Sequence, residues 1–263
     1  MSSGEPSHEP RAALRGHHGS TAVIGLTGGV ASGKSAVASL LAERGCAVID
    51  ADKVGHMVLD LPDVQQKLVD RFGSDVVIRQ GRPGDLEPRV DRRALGAIVF
   101  SSPEARRALE AIVHPLMRAR FAVAIDQALE NGQMPILDAA LLFEAGWNDL
   151  CEFVAFVDAP RSERARRAAG DRGWSEDAFS ARERAQWPCE EKRRRADFVI
   201  NNDAGPDALR REVLALERAL ALPAEPNSRA QALDRSPDAP RAAVRNSEAK
   251  TGSGAWRGPC LVL

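Results

Sequence analysis

Gly28-Gly-Val-Ala-Ser-Gly-Lys-Ser35 follows directly on the apolar run Thr21-Ala-Val-Ile-Gly-Leu-Thr27, and the octapeptide meets the pattern G-x-x-x-x-G-K-[S/T] at every constrained position. After it, Val37, Leu40 and Leu41 recur at helical spacing and Gly45 sits where a C-terminal cap glycine belongs. A strand, a glycine-rich turn and an amphipathic helix in that order form a cradle for polyphosphate: successive backbone N–H groups and the positive helix end face a dense negative charge. Residues Gly28, Gly29, Val30, Ala31, Ser32, Gly33, Lys34, Ser35 and Ala36 are therefore the expected nucleotide-binding segment. Lys34 is placed to reach the β- and γ-phosphates of ATP, and Ser35 to offer its hydroxyl to Mg²⁺.

The chain has 263 residues, 44% of them hydrophobic, enough for a sizeable core. Its 36 Lys and Arg nearly balance 37 Asp and Glu, and a formal charge of −1 gives no overall field to draw it to nucleic acid or a membrane. Cys46, Cys151, Cys189 and Cys260 are far apart and form no zinc or C-x-x-C pattern. With no long apolar span and no signal-peptide core, a reduced cytoplasmic setting is expected, with the chain a monomer or weak oligomer. Residues 1–20 and 223–263 lack sustained apolar periodicity and read as a flexible leader and a disordered tail. His17 and His18 in the leader read as solvated.

From 21 to 222 the chain alternates short β-type runs with longer helical ones, the pattern of an α/β fold with a parallel sheet between helical layers. Strands are expected at 46–50, 135–138, 152–157 and 197–200, and helices at 63–72, 92–99, 103–131, 161–170 and 206–221. Pro115 predicts a break between two helices inside 103–131. The stretch of about 55–133 is too long for a simple crossover and reads as a small helical insertion that binds the acceptor.

Ligands of open α/β sheets gather beyond the carboxyl ends of the strands, so acids that end strands carry weight. Asp50 and Asp52 close the second strand and share a face of it: one could orient Mg²⁺ through water and the other take a proton from an attacking hydroxyl, or either could cap a helix. Asp138 ends the next strand as a second candidate near the metal, with a plain strand-end cap as the alternative. The arginine-rich segment from Arg161 to Arg172 suits a lid, about 161–190, that closes over the triphosphate, with Arg164 and Arg172 as the preferred contacts. Lys192-Arg-Arg-Arg195 reads mostly as solvated surface. His114, beside Pro115, could contact substrate or bond within the core.

Several ordered stretches then resemble the dephospho-coenzyme A kinase family, over about 22–222: Ile24 to Ser35, Val48-Ile-Asp-Ala-Asp52, Asp91 to Phe100, Val113-His-Pro-Leu116, Leu141-Leu-Phe-Glu144 and Ala196 to Asn202. The resemblance implies a three-layer P-loop nucleoside-triphosphate hydrolase-type fold and ATP-dependent phosphorylation of the 3′-hydroxyl of dephospho-CoA. It implies Asp52 as base or hydroxyl-orienting carboxylate, His114 with Leu141, Leu142, Phe143 and Glu144 around the acceptor, and Asn201 and Asn202 near adenine. Ala140 stands where the family usually has proline and Ala36 where threonine is common; neither change removes a charge that phosphoryl transfer requires. A kinase of another small metabolite and an ATP-binding switch are the competing readings, whereas no Asn-Lys-x-Asp element supports a GTPase.

Overall fold

Burial at every position of Ile24–Gly28, which forms β1, is what a strand covered on both faces must show. The structure is a computed structural model that describes residues 22–82 and 85–220; the expected leader and tail, with His17, His18 and Cys260, lie outside the described residues. After β1 come α1 (Lys34–Glu43), β2 (Ala47–Asp50), α2 (Ala51–Leu59) and α3 (Pro62–Phe72). A two-stranded antiparallel hairpin follows, β3 (Val77–Arg82) and β4 (Asp85–Val90), then α4 (Arg92–Ser101) and α5 (Pro103–Glu130). The chain continues through β5 (Pro135–Asp138), β6 (Phe153–Asp158), α6 (Arg161–Arg172), α7 (Glu176–Arg184), α8 (Cys189–Arg195), β7 (Phe198–Asn201) and α9 (Pro206–Ala219).

The main sheet has five parallel strands in the order β2-β5-β1-β6-β7. Its alternating side chains feed two cores. Ile24, Leu26 and Ile136 pack with Val37 and Leu41 of α1 and Val213 of α9, while Ile49, Leu137 and Val154 join the opposite face with Val58, Val113 and Phe121. The register sets Asp50 opposite Asp138 at the carboxyl ends of β2 and β5, next to the loop that leaves β1. Helix starts follow local chemistry: Asp91 accepts from the amides of Arg93 and Ala94, Ser102 from Ala105 and Ser175 from Ala178, and α3, α5 and α9 each begin with proline.

Two expectations need correction. The segment between β2 and β5 is not purely helical, because it contains the β3–β4 hairpin. The proline at 115 does not divide 103–131, since α5 runs unbroken through it. An interior proline costs a helix about 3 kcal/mol. Leu109, Val113, Met117, Phe121 and Ile125 recur every fourth residue as a buried stripe, each worth up to about 1.5–3 kcal/mol of burial, so packing outweighs the lost hydrogen bond.

Candidate active site

The loop from β1 to α1 is shaped by two backbone positions in the left-handed region, Ala31 at φ 58° and Gly33 at φ 90°. At Gly33 a side chain is excluded twice over, by that φ and by Asn202 Nδ2, which lies where a Cβ would project. The Asn202 amide donates to the carbonyl of Ser32 at 2.7 Å, and Arg167 Nη1 donates to the same oxygen at 3.1 Å while its Nη2 reaches the Asn202 carbonyl at 2.7 Å. The first hydrogen bond of α1 starts at the amide of Ala36, so the amides of Lys34 and Ser35 before it head the helix with no partner inside it.

Lys34 forms an ion pair with Asp138. Burial pushes the Asp138 carboxyl above the usual range, against the opposing pull of Lys34. Asp52, in the first turn of α2, is half-buried and accepts no hydrogen bond among the described residues; its pKa too is raised, by burial first, with Lys34 lowering it and Asp50 and Asp138 raising it. Asp50 does what the alternative reading allowed: it caps α2, accepting from the Lys53 amide at 3.1 Å, and pairs with Lys53 Nζ at 3.5 Å.

A cleft of about 830 Å³ runs from Gly29–Ser35 past Asp52 to a far wall that includes His114, Leu141, Glu144 and Arg172. Arg164, expected to face the triphosphate, is instead buried in a clamp: Nε donates to the Ala159 carbonyl at 3.1 Å, Nη1 to Val30 O at 3.3 Å and to Glu183 at 2.6 Å. Arg161 binds the same Glu183 at 2.9 Å, so the two arginines tie α6 to α7. Arg172 does line the cleft, its guanidinium 4.8 Å from the Trp174 ring centre. Asn201 is exposed and bonded to Glu212 at 3.2 Å, leaving contact with the loop to Asn202. Leu142 and Phe143 are buried in the core, Phe143 stacked on Trp187 with ring centres 6.4 Å apart. Gly28 and Ala36 flank the cleft-lining part of the loop.

His114 packs edge-on against Trp147 at 5.0 Å, its Nε2 is buried without a partner among the described residues, and burial lowers its pKa. Lys192, read as surface, is instead fully buried: its Nζ donates to Ala140 O at 2.7 Å and to Gln186 at 3.2 Å and pairs with Glu144 at 2.7 Å. A short run of cations looked solvated because Arg193, Arg194 and Arg195 are, and nothing in the pattern distinguishes the one member that turns inward.

A family model for dephospho-CoA kinase matches residues 22–207. The chain belongs to the dephospho-CoA kinase family. The dephospho-CoA kinase of Symbiobacterium thermophilum is 44% identical over 202 residues, covering 75% of this chain and 80% of that protein, and that of Geobacillus kaustophilus is 38% identical over 198 residues, covering 74% and 95%. A crystal structure from Thermus thermophilus superposes with a TM-score of 0.65 at 38% identity, covering 76% of this chain and 96% of its own. The dephospho-CoA kinase from Campylobacter jejuni does so with a TM-score of 0.56 at 26% identity, covering 75% and 96%.

As a kinase of this family, the protein carries site residues that sequence reasoning passed over. Arg167 lies one helical turn from Arg164, so an i, i+3 reading of the arginine-rich segment could have found it. Arg106 and Arg107, at the start of α5, also line the cleft and no motif marks them, and so does Phe100 at the end of α4, which closes the resembling stretch Asp91 to Phe100 but carried no role there.

Proposed function

We propose that the chain transfers the γ-phosphoryl group of ATP to the 3′-hydroxyl of dephospho-CoA, giving coenzyme A and ADP. The observation that carries this reading is that Lys34 and Asp52 line one cleft, which extends beyond the phosphate loop to a second wall on α5 and 140–145. Its volume of about 830 Å³ is near the top of the range of roughly 300–1,000 Å³ for small-molecule sites, as suits a site for two nucleotides.

In this mechanism the amides of the loop and the Lys34 ammonium grip the triphosphate, Lys34 exchanging its Asp138 partner for phosphate oxygens. Asp52 orients the acceptor hydroxyl and takes its proton; a bond forms between the hydroxyl oxygen and the γ-phosphorus as the bond from that phosphorus to the ADP oxygen breaks. A carboxylate whose pKa burial raises is a better base near neutrality than an exposed one. Arg172 offsets charge on the transferred group, and closure of residues 161–190 as a lid excludes water.

The donors fit Mg²⁺: Ser35 and Asp52 line the cleft, and Asp138 and Asp50 lie close enough to act electrostatically on Asp52. Among the described residues no cluster of His, Cys, Asp or Glu could by itself hold a metal ion. When bound, Mg²⁺ would neutralise charge on the β- and γ-phosphates. We assign Ser35 to it, with Asp138 as the assisting acid once Lys34 turns to phosphate, because Asp50 is engaged as the cap of α2.

Residues 55–133 then serve as the acceptor-binding insertion. No helix among the described residues is long and apolar enough to cross a membrane; the near-balance of 36 Lys and Arg against 37 Asp and Glu, which sets up no field for nucleic acid, supports the proposed setting of a cytoplasmic enzyme, a monomer or weak oligomer. ADP release across a panel of acceptors tests the reaction: turnover on dephospho-CoA is expected, and turnover on nucleosides with none on dephospho-CoA would refute it. Asp52→Asn should lower kcat by about 10²–10⁴-fold while ATP affinity is largely kept.

A further inference from the structure

Glu144 and Lys192 form a buried pair on the wall of the cleft that the reaction above does not use. Glu144 Oε1 accepts both the Trp187 amide, at 2.8 Å, and Lys192 Nζ, at 2.7 Å. Its other oxygen, Oε2, is buried with no hydrogen-bond partner among the described residues. A carboxylate oxygen shielded from water and left without a donor is costly unless something supplies one. Glu144 lines the cleft, so a ligand that displaces the side chains covering Oε2 is in a position to do so.

Lys192 is the reason that carboxylate can stay there. Its side chain has 0% exposure, and burial lowers its pKa while Glu144 pulls it back up. Besides Glu144 it holds the carbonyl of Ala140 and the Oε1 of Gln186, satisfying all three ammonium hydrogens. Ala140, Glu144, Gln186 and Trp187 all line the cleft, whereas Lys192 does not. Gln186 and Trp187 close the segment that follows α7, so one ammonium joins the cleft wall after β5 to the trailing end of the α6–α7 unit.

We propose that Lys192 is a positioning residue for the acceptor: it fixes the Glu144 carboxylate so that Oε2 accepts a hydrogen bond from a hydroxyl of the incoming nucleoside, and it locks the end of the lid to that same carboxylate. The inference rests on the acceptor being dephospho-CoA, a nucleoside with free ribose hydroxyls. It follows that losing Lys192 damages acceptor binding and leaves ATP binding alone, because the phosphate loop is braced by Arg167 and Asn202 and not by Lys192.

The test compares Lys192→Met, Glu144→Gln and the double variant with the wild type, reading KM for dephospho-CoA, kcat, ATP affinity and thermal midpoint. Lys192→Met strands a buried carboxylate and should lower the midpoint, whereas the double variant removes both charges and should recover it. For a positioning role, KM for dephospho-CoA rises about tenfold or more in all three, and ATP affinity stays within about twofold. Recovery of KM along with stability in the double variant would overturn the proposal, leaving the pair a packing element. So would an unchanged KM in Glu144→Gln, which keeps an oxygen for the Trp187 amide and stays informative should Lys192→Met not fold. Wild-type turnover in the same assay separates failure of this inference from failure of the functional reading, because absence of turnover there strikes the acceptor itself.

Discussion

Ser32 offers its carbonyl to Asn202 and to Arg167, so the phosphate loop is held in shape from β7 and α6 as well as by its own glycines. Arg167 uses a two-pronged guanidinium that a single ammonium cannot copy. Arg167→Lys is expected to weaken ATP binding about tenfold in calorimetric titration with the fold intact. Gly33→Ala should be far worse, since it puts a Cβ at φ 90° and into the Asn202 amide; ATP retention on a nucleotide column should be lost. At this scale the sequence announced Gly33 and Lys34 through one contiguous motif and Asp52 through the acidic pair Asp50-Ala-Asp52, although the strand ends at Asp50 and Asp52 falls in the first turn of α2 and not on the strand face expected for it. Arg167 was within reach of an i, i+3 reading of the arginine-rich segment, but its partner was not, being a backbone carbonyl 135 residues away that any residue type supplies.

Among the elements, the strands of the central sheet were legible because their apolar runs are short and bounded, whereas the β3–β4 hairpin was not. Its residues Arg79, Glu87 and Arg89 interrupt the apolar alternation, and its pairing is largely with itself. The continuity of α5 past Pro115 was hidden for the opposite reason, a strong local signal overridden by the buried stripe of Leu109 to Ile125. His114 sits on that helix, and burial depresses its pKa from 6.5. The folded state then resists a proton that the unfolded chain accepts, so stability falls as pH drops below about 6.5 and levels off once the folded-state histidine is itself protonated. Denaturation at pH 7.5 and 5.5 should show His114→Gln losing less stability on acidification than the wild type.

Across the whole molecule, two cores on opposite faces of one parallel sheet hold the carboxyl ends of β1, β2 and β5 together, and with them the loop, Asp52 and Asp138. The alternation of strands and helices made that architecture readable. The far wall of the cleft was readable only by resemblance, because it is assembled from α4, α5, the 140–145 turn and the end of α7, none of which carries a self-sufficient motif. The central claim is that this one cleft brings the end of a triphosphate and a ribose hydroxyl together between Lys34 and Asp52. The most direct check is phosphorus NMR of the product formed from ATP and dephospho-CoA. A new monoester resonance on the 3′-oxygen, equal in amount to the ADP formed, is predicted; ATP consumed to inorganic phosphate with dephospho-CoA unchanged would contradict the account.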